Sequence, residues 1–158
     1  MKRSARGFTL VEIMIVVAII ALLAAIAIPN VLRGRTTANE TAAIGNLRAL
    51  VSSLEMYRST QAVYPAAWTS MYPGGGAPAY GPPSFQTGMN NTSGVQGYNY
   101  NYTQLTNATY NVLARPQVVN RTGTRAFYVD EAGTPRHCAG AGPAANTNNT
   151  IDAPPSSC

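Results

Sequence analysis

Few side chains in this sequence are equipped for chemistry. There is one histidine, His137, two cysteines, Cys138 and Cys158, and six carboxylates: Glu12, Glu40, Glu55, Asp130, Glu131 and Asp152. His137 and Cys138 are neighbours. A Cys–His nucleophilic pair needs the two groups in opposition and a third group to orient the base, whereas adjacent residues of a strand point to opposite faces. The pair therefore does not read as a catalytic dyad. Asp130 and Glu131 could face a cation, but calcium takes about 6–8 oxygen ligands with several carboxylates, and only Asp152 adds to these two. They read as turn residues. The cysteines lie within the last 21 residues, in a charge-poor stretch rich in Asn and Thr. That setting suggests a disulfide formed outside the cytoplasm, two free thiols being the alternative. Such a bridge would contribute about 3 kcal/mol in the chain-entropy description. The cysteine count excludes a zinc cluster.

Glu12 is left, and its surroundings are anomalous. Of the 21 residues from Phe8 to Ile28 only Thr9 and Glu12 are polar, and the 16 from Ile13 to Ile28 are all apolar. A helix crossing a hydrocarbon core of about 30 Å needs about 20 such residues. Lys2, Arg3 and Arg6 precede the run, which places that end in the cytoplasm and the rest across the membrane. Without these three cations the net charge of +5 falls to +2, so the basic balance belongs mainly to the N-terminus. Charged residues make up 11% of the chain, well under the ~25% of ordinary soluble domains. Three readings fit the segment. A cleaved secretory signal could use Ala25-Ile26-Ala27, but its apolar region would exceed the usual ~7–15 residues and contain an acid. A plain signal anchor fits the hydropathy yet gives Glu12 no purpose, and an ionised carboxylate in lipid is costly unless partnered. In the third reading the acid is the point of the segment.

Gly7-Phe8-Thr9-Leu10-Val11-Glu12, with the basic leader before it and the apolar run and Pro29 after it, closely resembles the processing signature of type IV prepilins and of type II secretion pseudopilins. The resemblance extends over roughly residues 1–58. It implies cleavage between Gly7 and Phe8 by a membrane-embedded prepilin peptidase and N-methylation of the new terminal Phe8. It also implies that Glu12 pairs with the terminal amine of a neighbouring subunit during assembly. Glycine before the cut lets an extended backbone approach catalytic carboxylates closely. An amine–carboxylate pair in apolar surroundings would fix axial register, because a misplaced subunit leaves both charges unpaired. The alternative is a Glu12 that pairs within its own chain.

These residues need elements to position them. Pro29 removes a helical hydrogen bond and predicts a kink or loosening in a helix that otherwise continues, with further weak points at Gly34 and Gly45. Beyond them Ala43, Leu47, Leu50, Leu54 and Tyr57 recur at helical spacing, flanked by Ile44 and Val51, while Arg48, Glu55 and Arg58 lie opposite. This is an amphipathic helix whose stripe requires a partner, a sheet in the same chain. Helix from Phe8 to Ser59 would run ~78 Å, so its first half must find lipid or copies of itself. Between 64 and 97, prolines and Gly74-Gly75-Gly76 predict a surface loop, with a helical turn near Ala66–Met71 and Trp68 as a core anchor. Tyr98, Tyr100 and Tyr102 alternate as in a half-buried strand. A turn at Thr106-Asn107-Ala108 precedes a second strand, Tyr110–Ala114. A third strand, Arg125–Val129, leads through a turn at Asp130–Gly133 to a fourth, Pro135–Cys138.

The sequence thus predicts an α+β protein with the pilin fold, a long N-terminal helix on a small antiparallel sheet. Its organisation is a leader (1–7), a transmembrane and assembly helix (8–28), an amphipathic helix (29–60), a connecting loop (61–97), a sheet (98–138) and a C-terminal loop (139–158). The resemblance implies that this last loop, tied by Cys138 and Cys158, lies on the filament surface. The expected function is that of a structural subunit of a type IV pilus, without enzymatic activity, cofactor or metal. The resemblance places the single-pass precursor in the cytoplasmic membrane and the assembled subunit in an extracellular filament. Its partners are copies of itself, the prepilin peptidase and the pilus or secretion machinery. A type II secretion pseudopilin and a monomeric membrane-anchored binding protein are the alternatives. Arg115, Arg121, Arg125 and Arg136 form a candidate patch for nucleic acid, a partner set aside because the basic excess lies in the leader. Asn91-Thr92-Ser93, Asn107-Ala108-Thr109 and Asn120-Arg121-Thr122 match a glycosylation triplet, as an Asn/Thr-rich composition readily produces.

Overall fold

The computed structural model describes residues 8–74, 79–86, 89 and 94–138. The expected leader, residues 1–7 with Gly7, and the segment 139–158 with its Cys158 lie outside the described residues. Helix α1 (Leu10–Gln61) contains Pro29 and continues through Gly34 and Gly45. Four strands follow: β1 (Tyr98–Thr106), β2 (Thr109–Pro116), β3 (Ala126–Asp130) and β4 (Arg136–Cys138). Each pairs antiparallel with the next, in the order β1-β2-β3-β4. The chain divides into two compact units between Arg35 and Thr36.

In the first unit, residues 10–28 are helical and apolar in almost every position, and their large side chains are exposed all round. The helix is long and apolar enough to cross a membrane.

In the second unit the expected stripe is the buried one. Ala43, Leu47, Leu50 and Leu54 are buried, Ile44, Val51 and Tyr57 pack against them, and Arg48, Glu55 and Arg58 are exposed. Opposite lie Tyr98, Tyr100 and Tyr102, whose alternation puts all three on the helix side of β1. Register pairs Tyr100 with Ala114 and Tyr102 with Val112, continuing that face into β2. β1 runs past Tyr102 to Thr106, with a register shift around Leu105, and turns at Asn107-Ala108. β2 and β3 are also buried on the face away from this cluster, where Leu113, Ala126 and Tyr128 form a second cluster. The sequence reading, built on one-sided alternation, did not anticipate that second layer.

The segment after the helix is irregular, and its carbonyls are answered by aromatic donors. Trp68, in the 3₁₀ turn Trp68–Met71, is buried as expected and donates from Nε1 to the Phe85 carbonyl at 2.8 Å. Tyr102 Oη donates to the Pro65 carbonyl at 2.7 Å, Tyr72 Oη to that of Pro82 at 2.7 Å, and Tyr98 Oη to that of Arg125 at 2.8 Å. Around Tyr98 the approach is so close that a Cβ on Gly123 would run into the phenol and force it to shift, which favours glycine there. Edge-to-face ring pairs, Tyr64–Tyr110 at 4.6 Å and Phe85–Tyr100 at 4.8 Å, complete the packing.

Candidate functional site

Helix α1 begins on a reciprocal cap. Thr9 is its N-cap: Thr9 Oγ1 accepts from the Glu12 N–H at 3.2 Å, and the Thr9 carbonyl accepts from the Ile13 N–H at 3.4 Å. Glu12 reaches back, its Oε2 accepting from the Thr9 N–H and the Thr9 hydroxyl, both at 2.8 Å. This is a capping box, in which two of the helix's orphan N–H groups are satisfied by the two side chains. The spacing Thr9-x-x-Glu12 was present in the sequence, and the sequence reading, occupied with an intermolecular partner, did not use it. Oε1 takes no part in the box and remains able to accept a donor. The carboxylate also lies at the helix N-terminus, where the backbone dipole favours negative charge. Phe8 precedes it, largely exposed.

A second carboxylate on the same helix behaves differently. Glu40 is buried, and all its partners lie more than 80 residues away: Oε1 accepts from the Thr124 N–H at 2.8 Å and Thr124 Oγ1 at 2.6 Å. Oε2 accepts from Arg125 Nε at 3.0 Å and Nη2 at 2.6 Å, a bidentate pair. Burial pushes the Glu40 carboxyl up. The Thr124 and Arg125 hydrogen bonds and the guanidinium charge outweigh that and hold it below its ordinary value. No apolar period marks Glu40, so the sequence reading passed over it and assigned Arg125 to a nucleic-acid patch.

The remaining candidates fall apart as sites. His137 is exposed on the edge strand β4. Asp130 closes the predicted turn, its Oδ1 accepting from the Ala132 N–H at 3.1 Å, its carbonyl from the Gly133 N–H at 2.9 Å, with Arg136 3.5 Å from Oδ2. Two of the four patch arginines, Arg125 and Arg136, thus face carboxylates. Among the described residues no group of three or more His, Cys, Asp and Glu is gathered as a metal would need.

The basic residues at 2, 3 and 6, the capped acid and the uncovered apolar run fall within residues 2–28, which match the family model described as a prokaryotic N-terminal methylation motif. Among individual proteins, the N-terminal part is similar to the type IV wide pilus major component PilA4 of Thermus thermophilus, 52% identical over 35% of this chain and 43% of the relative. It is 40% identical to the type II secretion system core protein G of Dickeya chrysanthemi over 41% of this chain and 42% of the relative. It is 48% identical to the type IV major pilin protein PilA of Myxococcus xanthus over 37% of this chain and 27% of the relative. The chain spans less than half the length of these curated relatives.

Proposed function

We propose that this chain is a structural subunit of a type IV pilus, made as a single-pass precursor in the cytoplasmic membrane and assembled into an extracellular filament. The observation that carries this reading is the apolar circumference of α1 from Leu10 to Ile28, exposed on every side, with one carboxylate in its first turn. Such a surface needs lipid or like helices around it. Moving it from one to the other gains little hydrophobic energy, so packing of small residues and a charge pair must give specificity. Prepilin peptidase would cut between Gly7 and Phe8 and methylate Phe8. The new ammonium of one subunit would then meet the Glu12 carboxylate of its neighbour, at the oxygen the capping box leaves unused. Pro29 lets the helix adjust its line beyond the packed segment. The disulfide between Cys138 and Cys158 would close the C-terminal segment. The subunit performs no reaction and is itself a peptidase substrate.

The pseudopilin of a type II secretion system is the second reading, favoured by the match to core protein G. Two measurements test these proposals. Mass spectrometry of the native product is expected to give a chain starting at methylated Phe8, and any other first residue overturns both. Electron microscopy of sheared surface material is expected to show abundant filaments of this chain, whereas their absence favours the pseudopilin.

A further inference from the structure

Among the described residues outside the N-terminal segment, the exposed large apolar residues are Met56, Leu105, Val118 and Val119. They are not scattered. Val118 and Val119 lie in the β2–β3 connection, at the end of the sheet where Asn39 and Glu40 attach. Leu105 lies beside the β1–β2 turn at the opposite end. There Tyr64 joins the hairpin to the last turns of α1: its N–H donates to the Asn107 carbonyl at 3.0 Å, and its carbonyl accepts from Gln104 Nε2 at 2.8 Å. Met56 is in those turns.

The two ends also differ in charge. The first carries Arg115, Arg121 and Arg125 against Glu40, and the second carries Glu55, Asp130 and Glu131 against Arg58 and Arg136. Among the described residues, Arg121 and Glu131 form no salt bridge. The β2–β3 connection is held firmly. Asn39 Nδ2 donates to the Thr122 carbonyl at 2.9 Å, Thr122 Oγ1 accepts from the Val118 N–H at 3.0 Å, and the Asn120 N–H donates to the Gly123 carbonyl at 2.9 Å. A loop so fastened presents its valines with little ordering left to lose on binding.

We propose, building on the filament reading above, that these two ends bind each other between successive copies. Val118, Val119 and Arg121 of one copy dock on Leu105 and Glu131 of the next. The opposite charges select this pairing, since placing the β2–β3 end against its own kind would oppose Arg121 to Arg121. Because the joined patches are different surfaces, the contact is heterologous and leaves one free end of each kind, so it propagates along a filament instead of closing as a two-fold dimer. Leu105 on β1 and Glu131 after β3 stand two strands apart, about 10 Å, a span that a loop connecting adjacent strands can cover.

Charge reversal in the full chain, expressed in its own cells, tests this. Arg121→Glu and Glu131→Arg are each expected to lower filament yield at least about tenfold, with subunit level in the membrane unchanged, because each brings like charges together. The double reversal is expected to restore yield to within about twofold of the starting protein, as the attraction is re-formed with its signs exchanged. Arg121→Gln and Glu131→Gln, which remove attraction without adding repulsion, are expected to weaken assembly less. Single reversals that assemble normally, or a double variant as defective as the singles, overturn the proposal. If the unaltered chain makes no filaments, the filament reading fails first, and the two failures are distinct.

Discussion

Glu12 and Glu40 are both acids of one helix, yet they find their partners at opposite ranges. Glu12 finds its partners three residues away, in the cap of the helix it opens. Glu40 finds them 84 and 85 residues away, just before β3. The apolar residues around them divide the same way. Those before Arg35 are exposed all round, and those after Thr36 form one buried stripe. A stripe can be satisfied by a sheet of the same chain, whereas a whole circumference cannot be covered by a body of this size. The stripe of the second unit is covered within its own chain, and the circumference of the first is not.

That contrast can be broken deliberately. The largest effect is expected from Glu12→Ala, which should leave processing at Gly7 intact and reduce filament yield by at least about tenfold, since an unpartnered charge remains at each subunit boundary. The stability of the body should not change, and a filament yield equal to the starting protein's would remove the registry role. Next, Trp68→Ala should destabilise the body by about 3–5 kcal/mol, the usual result of emptying a large aromatic site, as measured by denaturant unfolding of the detergent-solubilised chain followed by circular dichroism. Glu40→Gln should cost about 2 kcal/mol by weakening hydrogen bonds to a charged group. It should also flatten the acid limb. Because the folded carboxyl titrates below its ordinary 4.5, the stability it supplies is complete above that value and disappears as pH falls through the lowered one. An unchanged acid limb in the Gln variant would separate Glu40 from acid sensitivity. Finally, Thr9→Ala should cost about 1 kcal/mol through loss of the cap, read as fraying of the first turn by amide exchange, with the body unaffected.

At the alkaline side the sign reverses. Burial pushes the Tyr100 phenol up to about 12, with Asn46 opposing, and Tyr72 likewise to about 12. Neutral phenols stabilise the body fully below their ordinary 10.0, and that contribution is lost as pH rises through about 12. An absorbance titration of the nine tyrosines should therefore show the raised phenols, Tyr72, Tyr98, Tyr100, Tyr102 and Tyr110 among them, ionising with unfolding.

Elements with a strong local signal were legible in the sequence. The 3.6-residue period of Ala43, Leu47, Leu50 and Leu54 named the buried face, the Tyr alternation named β1, and Asn107-Ala108 named the hairpin. Pro29 and two glycines were read as weak points in a helix that otherwise continues, and the structure is helical through all three, propensity being a weak prior. The strand ends were harder. Thr103 to Thr106 continue β1 through backbone pairing and through polar side-chain bonds such as Gln104 to the Tyr64 carbonyl, which apolar alternation does not announce. Glu40 was invisible because its purpose lies in residues 84 positions later. The capping box was visible and went unread. The second buried face of β2 and β3 could not be found by looking for alternation, since strands buried on both faces do not alternate.

The aromatic hydroxyls that meet backbone carbonyls at Pro65, Pro82 and Arg125 have a bearing on where such a protein can live. Attraction between full charges fades as ions crowd around it, whereas a neutral phenol donating to a peptide oxygen in a buried or half-buried position responds little to the surrounding electrolyte. A body held by a buried apolar core and by such neutral donors is expected to keep most of its stability as salt rises. Only the charged ends of the sheet are left to sense the medium.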